Sequence, residues 1–286
     1  MKPIAALRLP VQQDLGAFVA LLQRLQVPHR VSEEAGEQVL WVHDEALAEQ
    51  VRGLYGRFPQ GDAAGTPARV EPAGAPGPLL QLKRSPLSAA ILALTLLVAA
   101  LTLGGKNHEV MHWLSFLDYR VQGGYIFFTP LAESLTAGQW WRLITPMLLH
   151  FGLLHLAMNS LWYWELGRRI EARQGGLMLL ALTLLFALVS NVAQFVWGGP
   201  SLFGGLSGVL YGLLGHCWLF QRLAPSPAYR LPPGVLVMML VWLLVCLSGL
   251  ITVLGLGAIA NAAHVGGLLV GCATGLLGGA LARRRR

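Results

Sequence analysis

Long apolar stretches recur from Leu87 to Leu281, whereas about the first seventy residues mix charged, polar and apolar positions as a small soluble domain does. A bilayer core about 30 Å thick takes about 20 apolar residues per helix. The pattern predicts spans at residues 86–105, 147–167, 177–197, 207–222, 233–255 and 259–281. The fourth is short and follows Gly204-Gly205 directly, which predicts a helix whose N-terminus is buried in protein below the membrane surface. Between the first two spans runs an aromatic-rich loop of about forty residues, too long for a simple connector and expected to pack as a partly embedded structure.

Ahead of the spans, residues 4–9 and 39–43 read as strands, and residues 13–26 and 44–58 carry helical periodicity. Arg30 to Glu34 reads as a further strand, with Ala35-Gly36-Glu37 as a hairpin turn. Residues 59–78, rich in Pro, Gly and Ala, predict a flexible linker. The expected division is a cytoplasmic α/β domain at 1–60, a linker at 61–84 and a six-helix core at 85–286. The fold class is an all-α polytopic membrane protein, a bundle of six transmembrane helices carrying a small N-terminal α/β domain.

Composition strengthens the membrane reading. Of 286 residues 55% are hydrophobic and 12% charged, against about a quarter charged in soluble domains. The net charge of +7 raises nucleic-acid binding, but the Lys and Arg residues lie mostly beside spans. Eleven of them (Lys83, Arg84, Arg168, Arg169, Arg173, Arg222, Arg230 and Arg283 to Arg286) fall on one side, against Lys106, Arg120 and Arg142 on the other. The positive-inside rule then puts both termini in the cytoplasm and the long loop outside. The start shows no continuous apolar h-region with a cleavage site, so the head is expected to stay in the cytoplasm. Cys217, Cys246 and Cys272 sit inside apolar spans without metal or disulfide spacing and read as packing residues.

Strongly polar residues inside spans are costly and are therefore candidates for function. They are His150, His155, Asn159, Gln194, Ser207, His216 and His264. Ser207, set among glycines, would serve close helix packing. Read chemically, it is a nucleophile at a helix N-terminus whose N–H groups meet a developing oxyanion, with Gly205 letting a substrate backbone approach. A serine hydroxyl needs a base. His264 lies near the outward end of span six, and Gly267 and Gly271 at i+3 and i+7 would let that span close on span four. The alternative for His264 is a bond to helix backbone. Tyr211, one turn after Ser207, is placed to pack on the His264 ring. His155 and Asn159 share a helix face, and donors from His150 and Asn159 would join the Ser207 N–H in an oxyanion hole, with His155 as an internal support. No metal site is expected, since there is no His-Glu-x-x-His and no acidic third ligand nearby. His216 reads as structural. Gln194 either lies by the substrate entrance or makes an interhelical bond.

Together, Trp141-Arg142, His150, His155, Asn159, Gly205-Leu206-Ser207-Gly208, Tyr211 and Ala263-His264 followed by Gly267 and Gly271 resemble the rhomboid intramembrane serine proteases of the bacterial GlpG type. The resemblance implies a rhomboid-like core in the bacterial inner membrane and hydrolysis of peptide bonds in transmembrane segments of single-span or polytopic membrane proteins. It implies Ser207 as nucleophile, His264 as base and then acid without a catalytic aspartate, and His150, Asn159 and the Ser207 N–H at the oxyanion. Tyr211 would stack on His264, with His155, Gly205 and Gly267 in support. Trp141-Arg142 matches the signature of the first outward loop, and Glu171-x-x-x-Gly175 the pattern after span two.

No cofactor and no nucleic acid are expected; membrane lipids surround the core, and a homodimer is left open. A catalytically silent rhomboid-like binder would usually lack the serine or the histidine, and both are present. A transporter would show an internal repeat, and none is found.

Overall fold

A computed structural model describes residues 3–34, 36–60, 78–232, 234–254 and 258–284. These residues fall into two compact units that divide between Gly77 and Pro78.

The first unit pairs β1 (Ile4–Pro10), β2 (Arg30–Glu34) and β3 (Glu37–Val42) in one antiparallel sheet, with β3 central. Helices α1 (Gly16–Arg24) and α2 (Glu45–Arg57) complete it. Helix α1 is shorter than the expected 13–26 for local reasons. The Asp14 carboxylate accepts from Gly16 N–H at 2.7 Å and holds the chain outside the helix. At the other end Gln26 turns left-handed (φ 56°), and Val27 N–H reaches back to the Leu22 carbonyl at 2.9 Å. Asp44 caps α2 by accepting from Leu47 N–H at 2.7 Å. Phe18, Leu22, Leu40, Ala48 and Val51 bury the shared apolar face.

The second unit opens with α3 (Pro78–Arg84), so the last seven positions assigned to the linker are helical; residues 61–77 lie outside the described residues. Next comes α4 (Pro86–Leu101), shorter than the expected 86–105 because Leu103, Gly104 and Gly105 all take positive φ and cannot continue a helix. The Glu171 carboxylate caps its start from another helix, accepting from Leu87 N–H (2.8 Å), Ser88 N–H (2.9 Å) and Ser88 Oγ (2.7 Å).

The long loop folds into α5 (His108–Leu114), a hairpin of β4 (Tyr119–Gln122) and β5 (Tyr125–Phe128), α6 (Leu131–Thr136), and 3-10 turns at Trp140–Leu143 and Thr145–Leu148. Span two, expected at 147–167, is α7 (Leu153–Gln174). Gly152 at φ 100° delays its start, and the ion pairs of Glu165 with Arg168 and Arg169 lie on the turns beyond.

Then follow α8 (Gly176–Gly198), α9 (Ser207–Leu223), α10 (Val235–Leu247), α11 (Leu250–Val253) and α12 (Asn261–Arg284). The expected fifth span at 233–255 is thus broken at Gly249, whose φ is 76°; its ends, 233 and 255, lie outside the described residues, as do Arg285 and Arg286. Helices α8 and α12 are long and apolar enough to cross a bilayer, while α4 and α10 are apolar but shorter. Every residue of α9 from Gly208 to Cys217 is buried. It forms the axis of this unit, and α8 and α12 flank it.

Candidate active site

Two glycines deliver Ser207 to the head of α9. Gly205 sits at φ 121°, a conformation that L side chains avoid, and its N–H donates to the Pro146 carbonyl at 2.9 Å. A Cβ on Gly205 would come within 2.8 Å of the His155 ring and 3.3 Å of Asn159 Nδ2. One on Gly204 would lie 2.7 Å from Leu149 Cβ and from the Pro146 carbonyl. The backbone therefore runs pressed against residues 146–149 and α7, and Ser207 opens the helix half-buried.

His264 reaches it from α12, with Nε2 2.8 Å from Ser207 Oγ. This approach depends on a line of glycines. Cβ atoms on Gly267 and Gly271 would run into the carbonyl oxygens of Gly208 and Gly212, and one on Gly275 would come within 2.6 Å of the His216 carbonyl. Gly279 continues the series against Phe220 and Leu223. The Tyr211 ring lies 5.0 Å from the His264 ring, tilted by 46°, and the Tyr211 hydroxyl donates to the Met239 carbonyl on α10 at 3.0 Å. Gln194 on α8 accepts from Ala263 N–H at 3.2 Å, which ties down the first turn of α12 beside His264. Of the two readings of Gln194, the interhelical bond is the one formed.

On the other side of Ser207, His150 is buried. Its Nδ1 bonds the Leu148 carbonyl (3.1 Å), which can only accept, so Nδ1 carries the proton and Nε2 accepts from Leu206 N–H at 3.5 Å. The His155 ring lies 5.0 Å from that of His150. Asn159 is 5% exposed, and its Nδ2 is buried without a hydrogen-bond partner among the described residues. A serine hydroxyl on a neutral imidazole, at a helix N-terminus and beside an idle amide donor, has the parts for nucleophilic acyl transfer. Among the described residues no three His, Cys, Asp or Glu side chains group so as to hold a metal ion.

The family model of the rhomboid domain matches residues 137–281, a stretch that holds all of these side chains, and that of the rhomboid N-terminal domain matches residues 1–69. The chain is 33% identical over 267 residues, 89% of each protein, to the rhomboid protease GlpG of Serratia proteamaculans (strain 568). The chain belongs to the rhomboid family. It is an integral membrane protein and an intramembrane serine protease, a hydrolase that acts on membrane proteins.

In this rhomboid the Trp141-Arg142 pair anchors the long loop. Arg142 is fully buried and donates to the carbonyls of His112 (2.5 Å) and Ser115 (3.1 Å), to Gln139 Oε1 (2.7 Å), and pairs with Asp118 at 3.2 Å. Burial pulls its pKa below the usual arginine value, and Asp118 opposes the shift. In the residue after Asp118, burial and the Asp118 charge push the Tyr119 hydroxyl up to about 12. Trp141 Nε1 donates to the Trp113 carbonyl at 2.9 Å. His216 lies away from Ser207, bonded to Thr274 (3.1 Å) and Gln174 (3.0 Å), and so joins α7, α9 and α12 as a structural histidine. Sequence reasoning missed Asn191, whose Nδ2 holds the Leu143 carbonyl at 2.9 Å, and Asn261, whose Nδ2 holds the Cys246 carbonyl at 3.1 Å. Their signal is a polar amide in or beside an apolar span.

Proposed function

We propose that this rhomboid cleaves transmembrane segments near their outward-facing ends through a Ser207–His264 dyad. The observation that carries the reading is the 2.8 Å contact between Ser207 Oγ and His264 Nε2 at the head of a buried helix. Ser207 attacks the scissile carbonyl while His264 takes its proton and later returns it to the leaving amine. The Ser207 N–H and Asn159 Nδ2 stabilise the tetrahedral oxyanion. His150 lines the same pocket, and its Nε2 serves the oxyanion in the tautomer that carries the single ring proton there. Tyr211 holds the His264 ring, and His155 packs against Gly205.

The core crosses the bacterial inner membrane six times, by α4, α7, α8, α9, α10 with α11, and α12, with the head and both termini in the cytoplasm. Arg168, Arg169, Arg173 and Arg222 at the ends of α7 and α9 support that orientation. A helical substrate hides its carbonyls in i to i−4 bonds, so small or helix-weakening residues near the outward end of its span favour cleavage.

A fluorophosphonate probe tests the dyad without any protein substrate. It is expected to add to Ser207 in the wild type, as read by peptide mass spectrometry, and to leave His264→Ala unlabelled. Labelling of another serine, or undiminished labelling of His264→Ala, would overturn the assignment.

A further inference from the structure

Of the buried side-chain atoms that make no hydrogen bond among the described residues, one can only accept, Asn261 Oδ1, and another is His264 Nδ1. The two are complementary in chemistry, and their residues lie on the same helix. His264 Nε2 lies 2.8 Å from Ser207 Oγ; with Ser207 as the donor, as the proposed dyad requires, the ring proton sits on Nδ1 and makes that nitrogen a buried donor. Asn261 gives its Nδ2 to the Cys246 carbonyl, which turns Oδ1 to the other side of the amide. Residues three apart on a helix are neighbours, and Asn261 stands three before His264 in the first turn of α12.

We propose that Asn261 is a positioning residue for the dyad, its side-chain carbonyl accepting from His264 Nδ1–H through one bridging water. This rests on the roles of Ser207 and His264 given above. When the ring takes the serine proton both of its N–H groups become charged donors, and an acceptor at Nδ1 then stabilises that state and keeps Nε2 aimed at Ser207. An amide suits a membrane interior, where a carboxylate would be costly. The titratable groups that act on His264 are Tyr211 on α9, against its ring, and His155 on α7, within electrostatic reach.

Two substitutions in the full-length protein, reconstituted in liposomes, separate this role from the tie to Cys246. Asn261→Leu removes both bonds, whereas Asn261→Asp keeps an acceptor for His264 and loses the donor to Cys246. With the rate of fluorophosphonate addition to Ser207 as readout, Asn261→Leu is expected to fall roughly ten- to a hundredfold. Asn261→Asp is expected to recover most of that rate. Its acid limb should move to higher pH by roughly 1 to 3 pH units, because an anion beside the ring favours the protonated imidazole. An Asp variant as slow as the Leu variant with an unshifted profile, or a Leu variant at the wild-type rate, would overturn the proposal. Should Asn261→Leu fail to fold, the profile of Asn261→Asp decides alone. Ser207→Ala and His264→Ala, assayed on a membrane-protein substrate alongside, separate the two failures. Cleavage by either would sink the dyad itself, whereas an inert pair with an indifferent Asn261→Leu removes Asn261 only.

Discussion

Among the described residues Asn159 Nδ2 has no acceptor to donate to, and it lies beside the glycine that leads into Ser207. Burying such a group is unfavourable, and it becomes useful when an oxygen next to it turns negative. Asn159→Ala is therefore expected to lower kcat roughly 10²- to 10³-fold with little change in KM, as for other oxyanion donors. A rise in KM at constant kcat, read from cleavage kinetics in liposomes, would mean that Asn159 holds the ground state instead. At this scale Ser207, His264 and Tyr211 are legible in the sequence as candidates, whereas spacing alone leaves Ser207 open to helix packing and His264 to a backbone bond, and it is the fold that brings the three side chains together. The partners of Gln194 and Asn261 are not legible, because an amide's partner depends on which helix faces it. The proton on His150 Nδ1 is equally illegible, since it is set by the Leu148 carbonyl.

Among the elements, α9 and α12 approach so closely that α12 has no room for side chains at Gly267 and Gly271. Gly271→Val places its Cβ against the Gly212 carbonyl, two turns from His264, and must push the helices apart. Loss of fluorophosphonate labelling together with a lower unfolding temperature is expected; labelling at the wild-type rate would show that the dyad does not depend on this seam. Gly267 and Gly271 announce the seam in the sequence, and Gly275 and Gly279 extend it at the same spacing of four. Helix limits are harder to read where backbone φ decides them. Gly104, Gly152 and Gly249 all take positive φ and shift or break helices that hydropathy alone would run through. The trans cap on α4 is likewise hidden, because Glu171 lies more than eighty residues from the N–H groups it satisfies. By contrast the strands of the head are legible at 4–9 and 30–34, where short-range alternation and turn residues suffice.

The molecule as a whole keeps its chemistry in one of its two units. Every side chain assigned to the reaction lies between His150 and His264, and the first unit has its own apolar core around Phe18 and Leu40. Removing residues 1–77 is therefore expected to leave cleavage of a membrane-protein substrate unchanged within scatter. Loss of activity in a truncated core that still unfolds cooperatively would show that the head takes part. The most direct test of the central claim is cleavage by the reconstituted full-length protein in liposomes, with a single-span substrate, comparing wild type, Ser207→Ala and His264→Ala by gel and mass spectrometry. Expected is one cut near the outward end of the span, absent from both variants and indifferent to a metal chelator. Cleavage that survives Ser207→Ala, or that a chelator abolishes, would contradict a Ser207–His264 protease.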